Sequence, residues 1–413
     1  MSDASDGNAS DPRQQRAREW IRLLTELPDR FAGSLYERQA AERIGAWMKE
    51  LGLSDVTIVN ATGGPRPGLM LALHTGLAAF GCYWWGLIGF AMALVGAVSF
   101  SREFRQRQPF LSRLLRSGDS VNVVGRAGRS DAPRRVILTA HIDTTEAGWM
   151  FTKAVAERFA GLNQQGGAQS NKQPKPPHAL PELLLVSATL VALAGWIGAH
   201  GFLFGVIKLG ACGGLLIATV LGVQWAMSMP TPGANDNASA VAAMLTCAES
   251  LKAALPEDVE LWVVGTGAEE CGSGGMHDLV DRHPEWPPES TFYINFECVG
   301  GGALHYILTE GLLGRVTYPP MLIEVARRLA ASGRFGEVTP THLLAGTDGN
   351  VPARKGYPAL SLISLEANGV PRNYHRVEDT VDGIDLSMVV RSADFGSAAA
   401  NAALHGALDP ISA

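Results

Sequence analysis

Apolar positions follow two regimes along this chain. Over most of it they recur at helical spacing or gather into short runs between polar turns. In two stretches they continue far longer. Residues 69–100 are 32 positions without an Asp, Glu, Lys or Arg; residues 183–207 are another 25, followed by Lys208 and then 21 uncharged positions over 209–229. A helix crosses the hydrocarbon layer with about 20 residues. The second stretch therefore predicts a transmembrane helical hairpin, with its turn near Lys208 and Gly210. The first is one long tilted span or two short helices, and Gly76, Gly81, Gly86, Gly89 and Gly96 would permit a tight hairpin. Trp84 and Trp85 suit either a membrane interface or packing between helices. His74 and His200, inside these stretches, read as hydrogen-bonded packing residues rather than ligands.

The remaining chain alternates between two shorter periodicities. Helical spacing predicts helices over 19–51 (broken near 28–33), 238–254, 318–332 and 386–404. Continuous apolar runs predict buried strands over 135–140 (RVILTA), 259–265 (VELWVVG), 292–296 (FYINF) and 359–364. Such runs separated by helices imply an α/β fold whose mixed, mostly parallel sheet carries helices on both faces, with the apolar segments inserted into it. The expected order is a disordered N-terminus (1–18), polar α/β segments at 19–68, 101–160 and 230–413, the apolar segments at 69–100 and 183–229, and a Gly/Gln/Asn/Pro-rich linker at 161–182.

Composition narrows the class. Charged residues make up 18% of the chain, below the roughly 25% of soluble domains. The net charge of −6 and the lack of a basic block argue against nucleic acid. Five scattered cysteines without a Cys-x-x-Cys pair exclude a disulfide framework and fit a reducing compartment. Arg102, Arg105, Arg107, Arg113 and Arg116 cluster after the first apolar stretch, whereas the far-side turn of the second carries only Lys208. Positive residues stay inside. The expectation is a multi-pass protein of a bacterial inner membrane with its polar domain in the cytoplasm, and the lipid bilayer as one partner. No oligomeric state is specified.

Candidate chemistry collects where such a sheet places it, beyond the carboxyl ends of strands. His141 and Asp143 follow RVILTA, Glu269 and Glu270 follow VELWVVG, and Glu297 follows FYINF. Asp236 sits in a GANDNAS turn before a helix, and His375 in a YHRVEDT loop. Individually each is weak: Asp236 also fits a helix-cap turn, and His375 a surface loop. Jointly they form a set suited to two zinc ions. Asp236 can bridge the pair, Glu270 and Glu297 complete the ions asymmetrically, and His375 lies on one ion with His141 on the other. Asp143 can fix the tautomer of His141, and Glu269 is placed as general base.

The order and surroundings of these residues resemble the co-catalytic di-zinc exopeptidases, the bacterial leucyl-type aminopeptidases and glutamate carboxypeptidases. The resemblance rests on His141 and Asp143, GANDNASA at 233–240, Glu269-Glu270, Glu297 and His375, and covers 19–60, 118–150 and 230–405. It implies a zinc exopeptidase-like fold, two Zn²⁺ held by His141, Asp236, Glu270, Glu297 and His375, Glu269 as base, and a peptide or aminoacyl substrate. A related di-zinc family inserts a lid domain between the fourth ligand and the last histidine; here only 78 residues separate Glu297 from His375, too few to house it. Two positions depart from the pattern: Glu297 stands where Asp is frequent, and Asp348 lies in GTDGN where the family has Ser-Asp-His.

The expected activity is thus a membrane-embedded aminopeptidase. A carboxypeptidase or other amidohydrolase is the alternative, with Arg354, Arg372 and Arg376 as carboxylate-holding residues. An inactive receptor or scaffold would show missing ligands, and a transporter would need more spans. Tyr374 is either a packing residue or an oxyanion donor. Cys271 and Cys298 read as buried thiols turned away by strand alternation. The glycines at 272–275 are not followed by Lys-Ser/Thr, so a phosphate loop is not expected.

Overall fold

The computed structural model describes residues 11–84, 86–104, 110–115, 118–155, 180–311 and 315–405. The expected linker at 161–182 falls almost entirely outside these residues, as do the first ten positions and Arg105, Arg107 and Arg116.

Helix α1 (Pro12–Thr25) starts inside the stretch expected to be disordered at 1–18. Asp11 caps it by accepting from the Arg13 N–H, Pro12 stands at its first turn, and Ala17, Trp20, Ile21 and Leu24 are buried. The polar residues that suggested disorder occupy its outer face. Helix α2 (Leu35–Glu50) begins with a reciprocal cap. Ser34 accepts from the Glu37 N–H at 3.0 Å, and the Glu37 carboxylate accepts from the Gly33 N–H at 2.7 Å.

Nine strands form one sheet: β1 (Ser54–Ala61), β2 (Ser120–Gly128), β3 (Arg134–His141), β4 (Val259–Thr266), β5 (Thr291–Glu297), β6 (Ala303–Glu310), β7 (Val316–Thr317), β8 (Val338–Leu343) and β9 (Ala359–Leu365). The order is β1-β2-β4-β3-β5-β9-β6-β7, with β8 also on β6. The central run β4-β3-β5-β9 is parallel, and antiparallel pairs flank it. Central strands are buried on both faces, β5 at every residue, as the continuous apolar runs required. The flanking strands escaped the pattern because β1 is half exposed and β6–β8 mix polar with apolar positions.

Two helical hairpins leave this domain. The first is α3 (Pro67–Tyr83) and α4 (Gly86–Phe104). The second is α5 (Leu180–Trp196) and α6 (Phe202–Ala226), turning at 197–201 rather than near Lys208. Gly198 (φ 100°) and Gly201 (φ 105°) supply the left-handed backbone of that turn. Lys208 stays within α6 and donates to the Tyr83 carbonyl oxygen at the end of α3 (2.8 Å). Together the four helices form a bundle with its own small core of Leu71, Ala78, Ala79, Cys82, Phe100, Leu185, Ala188, Val191, Ala211 and Leu215. His74 packs as expected, with Nδ1 on the Met70 carbonyl (2.7 Å) and Nε2 on Ser99 Oγ (2.8 Å). His200 meets the Gly198 carbonyl in the turn.

After α6 the chain returns through an irregular turn, Ala234–Ser239, into α7 (Ala240–Ala253). Helices α8 (Gly274–Asp281), α9 (Pro320–Ala331), α10 (Asn350–Arg354) and α11 (Leu386–Leu404) complete the layers around the sheet.

Candidate metal centre

Five segments converge beyond the carboxyl ends of β3, β4 and β5. His141 is the last residue of β3 and Glu297 the last of β5. Glu269 and Glu270 follow β4, Asp236 comes from the turn before α7, and His375 from the loop before α11. His141 Nε2 lies 3.3 Å from Asp236 Oδ1 and 3.3 Å from Glu297 Oε1. His375 Nε2 lies 3.3 Å from Asp236 Oδ2 and 3.2 Å from Glu270 Oε2. The five residues thus form two triads, His141–Asp236–Glu297 and Asp236–Glu270–His375, sharing Asp236; within each the ligand atoms lie inside 4.8 Å of one another.

The donor set fits metal ions. His375 Nε2 is buried beside two carboxylate oxygens yet makes no hydrogen bond, and Glu297 Oε2 has no partner either. Atoms that approach without hydrogen-bond geometry are arranged as metal ligands are. Charge points the same way: carboxyls of Asp143, Asp236, Glu269, Glu270, Glu297 and Asp348 gather around two imidazoles. Burial opposes the charge of His375, but Glu270 and Asp236 hold it up at about 10. Burial likewise raises Glu270 to about 7 and carries Glu269 well above the carboxylate range. Asp236 is the exception: burial would raise it, but the adjacent imidazoles of His141 and His375 keep it below its usual value. Divalent cations would offset this excess of negative charge.

Asp143 does more than face an imidazole. Its carboxylate accepts from the backbone N–H groups of both Glu269 (3.0 Å) and Glu270 (3.1 Å), which fixes the loop after β4. His141 Nδ1 donates to the Asp143 carbonyl oxygen at 3.2 Å, with the carboxylate at 3.5 Å. Asp348 is fully buried close by, accepting from Thr266 Oγ1. Cys298 is not turned away from the centre. It lies past the end of β5 with φ 46°, so strand alternation no longer applies, and its Sγ donates to Glu297 Oε1 at 3.4 Å. Tyr374 stacks on the His375 ring at 3.8 Å. Arg372 and Arg376 are held by Glu366 and Glu378, and Arg354 by Asn350.

Several residues that position the centre carried little or no sequence signal. Asp379 accepts from the N–H groups of Asn235 (2.8 Å) and Asp236 (3.0 Å). Its place four residues after His375, in the same polar stretch, was the available clue. Asn237 Oδ1 accepts from Cys298 N, and Asn235 Oδ1 from Gly300 N, which ties the Asp236 turn to the end of β5. Arg30, in the break between α1 and α2, is fully buried and donates to the carbonyls of Leu24, Ile142, Pro232 and Gly233. Nothing in its neighbours marks it.

Beside Glu270 opens a cavity of about 270 Å³, lined among others by Asp29, Phe31, Arg66, Glu146 and Cys271. Arg66 pairs with Glu146 at 3.2 Å and stacks over Phe31. On the other side of His375, Phe151 meets its ring edge-on at 4.5 Å and Trp225 lies at 6.0 Å.

Sheet order and strand-end residues place this domain in the zinc-exopeptidase class of α/β folds. Residues 221–400, a little under half of the chain, match peptidase family M28, in keeping with the resemblance read from the motifs. The match includes Asp236, Glu269, Glu270, Glu297 and His375; His141 and Asp143 lie before it, on the far side of the second hairpin. Aminopeptidase YwaD of Bacillus subtilis is 29% identical over 175 residues, 41% of this chain and 37% of its own length, so the chain matches little more than a third of that relative. Among solved structures, the zinc aminopeptidase BSAP of Bacillus subtilis superposes with a TM-score of 0.54 at 17% identity, covering 94% of each chain. A Zn-dependent exopeptidase of Parabacteroides distasonis (0.50, 12%, 94% of this chain and 97% of that) and a glutaminyl cyclase of Tannerella forsythia (0.51, 13%, 92% and 96%) share the fold.

Proposed function

We propose that this protein is a zinc-dependent aminopeptidase, anchored in a membrane by its two helical hairpins, that cleaves the amino-terminal residue from peptides. The observation carrying the reading is the pair of triads sharing Asp236, with His375 Nε2 buried and unbonded among carboxylates. In this reading His141, Asp236 and Glu297 hold one Zn²⁺, and Asp236, Glu270 and His375 the other. Zinc bound there would polarise the scissile carbonyl and acidify the attacking water. Glu269 takes the proton of that water and returns it to the departing amine. Its backbone is fixed by Asp143, so the base keeps its position while the proton moves. The cavity beside Glu270 is rich in carboxylates, Asp29 and Glu146 among them, and this favours a terminal ammonium over a terminal carboxylate. The arginines that would serve a carboxypeptidase are already engaged by neighbouring side chains.

Membrane anchoring is supported by which residues face outward. Phe202, Leu203, Leu209, Ile217, Ile88 and Ile197 are all more than 60% exposed on the hairpins, an arrangement that water disfavours and lipid accepts. Gly86–Glu103 and Phe202–Ala226 are long and apolar enough to cross, while α3 and α5 are shorter. Both hairpins return to the same domain, which requires an even number of crossings. The arginines after α4 put that domain on the cytoplasmic side.

The test is Glu269→Ala in detergent-purified full-length protein. Turnover of an aminoacyl reporter is expected to fall by about 10³-fold, with two zinc ions per chain still found by elemental analysis. Unchanged turnover, or a wild-type protein without zinc, would overturn the reading.

A further inference from the structure

The last turn of α6 forms part of the wall of the candidate metal centre. Trp225 faces His375 and packs against Phe151 at 5.0 Å. Its Nε1 donates to the Glu146 carbonyl oxygen at 2.7 Å, and the neighbouring Gln224 accepts from the Trp149 N–H at 2.9 Å. On the cavity side, Arg66, immediately before α3, donates to the Ala226 carbonyl oxygen (3.3 Å) while pairing with Glu146. The domain-side ends of an apolar helix from each hairpin therefore flank the centre with no polar spacer between. The surface at that junction is itself apolar and open: Trp149 is 64% exposed, Met227 81% and Met229 71%.

We propose, resting on the aminopeptidase reading above, that the substrate is the free amino end of a polypeptide embedded in the same bilayer. Its first residue enters the cavity beside Glu270, and the following chain leaves across Trp149, Met227 and Met229 directly into lipid. A helix that ends beside His375 puts the headgroup layer at the level of the site. Only a few residues, at about 3.3 Å each, then separate the cleaved bond from the embedded segment. A site standing well clear of the membrane would need a long spacer. A peptide-bond hydrolysis close to the bilayer surface is one class of reaction that supplies such an amino end.

The experiment uses the full-length protein reconstituted in phosphatidylcholine/phosphatidylglycerol vesicles. It compares a soluble aminoacyl reporter with two peptides sharing one amino-terminal sequence and one apolar transmembrane anchor, joined through a spacer of about four or about twenty residues (~13 Å or ~65 Å extended). The short-spacer peptide is expected to be cleaved at least as fast as the long one. Met227→Asp combined with Met229→Asp is expected to lower the short-to-long ratio by about tenfold. Cleavage of the reporter and the long-spacer peptide, but not the short one, would overturn this proposal and leave the aminopeptidase reading intact. A ratio unmoved by the double substitution would overturn the exit route. A zinc-loaded protein that cleaves none of the three overturns both readings.

Discussion

The sheet domain and the helical bundle are held together in different ways. In the domain, large apolar side chains such as Ile137, Leu138 and Phe296 fill the core. In the bundle, helix backbones come into direct contact at glycines while many large side chains stay exposed: Gly68 and Gly222 approach so closely that a Cβ on either would come within 2.7 Å of the other's carbonyl oxygen. Their polar groups differ as well. Bundle residues find one partner a turn away, as Thr75 does on the Leu71 carbonyl and His74 on that of Met70, and a second on a neighbouring helix, Thr219 for Thr75 and Ser99 for His74. At the candidate centre the partners are remote in sequence: Arg30 reaches Gly233 across 203 positions and Asp379 reaches Asn235 across 144. The bundle is thus specified by close packing of helices with few polar ties, and the centre by long-range closure of a polar network. A change in one should leave a different trace from a change in the other.

Arg30→Ala should have the largest effect on stability. It takes the guanidinium away from four carbonyl oxygens, of which Leu24 and Gly233 keep a backbone donor, and the turn carrying Asp236 loses its tie to α1 and to the loop after β3. The expected loss is about 3–5 kcal/mol, read as a lower thermal midpoint in detergent together with reduced zinc per chain. Arg30→Lys should recover little, since one ammonium cannot reach in four directions. Full zinc loading and an unchanged midpoint in Arg30→Ala would break the claim that the network holds the centre.

The same contrast decides what the sequence made legible. Central strands are buried on both faces, so their runs of apolar residues were unmistakable, and the strand-end rule then located His141, Glu269, Glu270 and Glu297. Asp236 and His375 were found because their turns carry dense polar motifs. Arg30 was invisible because its partners are backbone carbonyls, which carry no residue signature. The turn of the second hairpin was misplaced because Lys208 was read as a break, whereas its ammonium is satisfied by a carbonyl on another helix and two glycines turn the chain elsewhere.

A pH effect should be confined to the sheet domain. Glu310 is fully buried, accepts from Thr347 Oγ1 (3.0 Å) and Tyr318 Oη (3.1 Å), and is pushed by burial from 4.5 to about 8. Between those values the folded chain holds a proton that the unfolded chain has lost. Glu310 therefore contributes full stability below about 4.5, and that contribution is lost as pH rises through about 8. The loss is on the order of a few kcal/mol. Glu310→Gln keeps hydrogen-bonding groups in place without the titration, so its thermal midpoint should vary less between pH 5 and pH 8 than that of the parent. Equal slopes would show that Glu310 does not titrate in this range.

Gly222→Val should give the smallest effect and one limited to the bundle. At Gly222 a Cβ would meet the backbone of α3 at Gly68 and Ala72, 2.7 and 2.8 Å away, and backbone cannot turn aside as a flexible side chain can. The helices must separate, at a cost of about 1–3 kcal/mol. Gly222→Ala should fall at the lower end because only one methyl intrudes. Separation of α3 from α6 also strains the bond from Arg66 to the Ala226 carbonyl, the link between bundle and cavity. Greater protease sensitivity of the hairpins with zinc content unchanged would confirm that local packing governs this region alone. Zinc loss in Gly222→Val would instead mean that the bundle supports the centre through Arg66 and Trp225, and the division between the two regions would have to be redrawn at that junction.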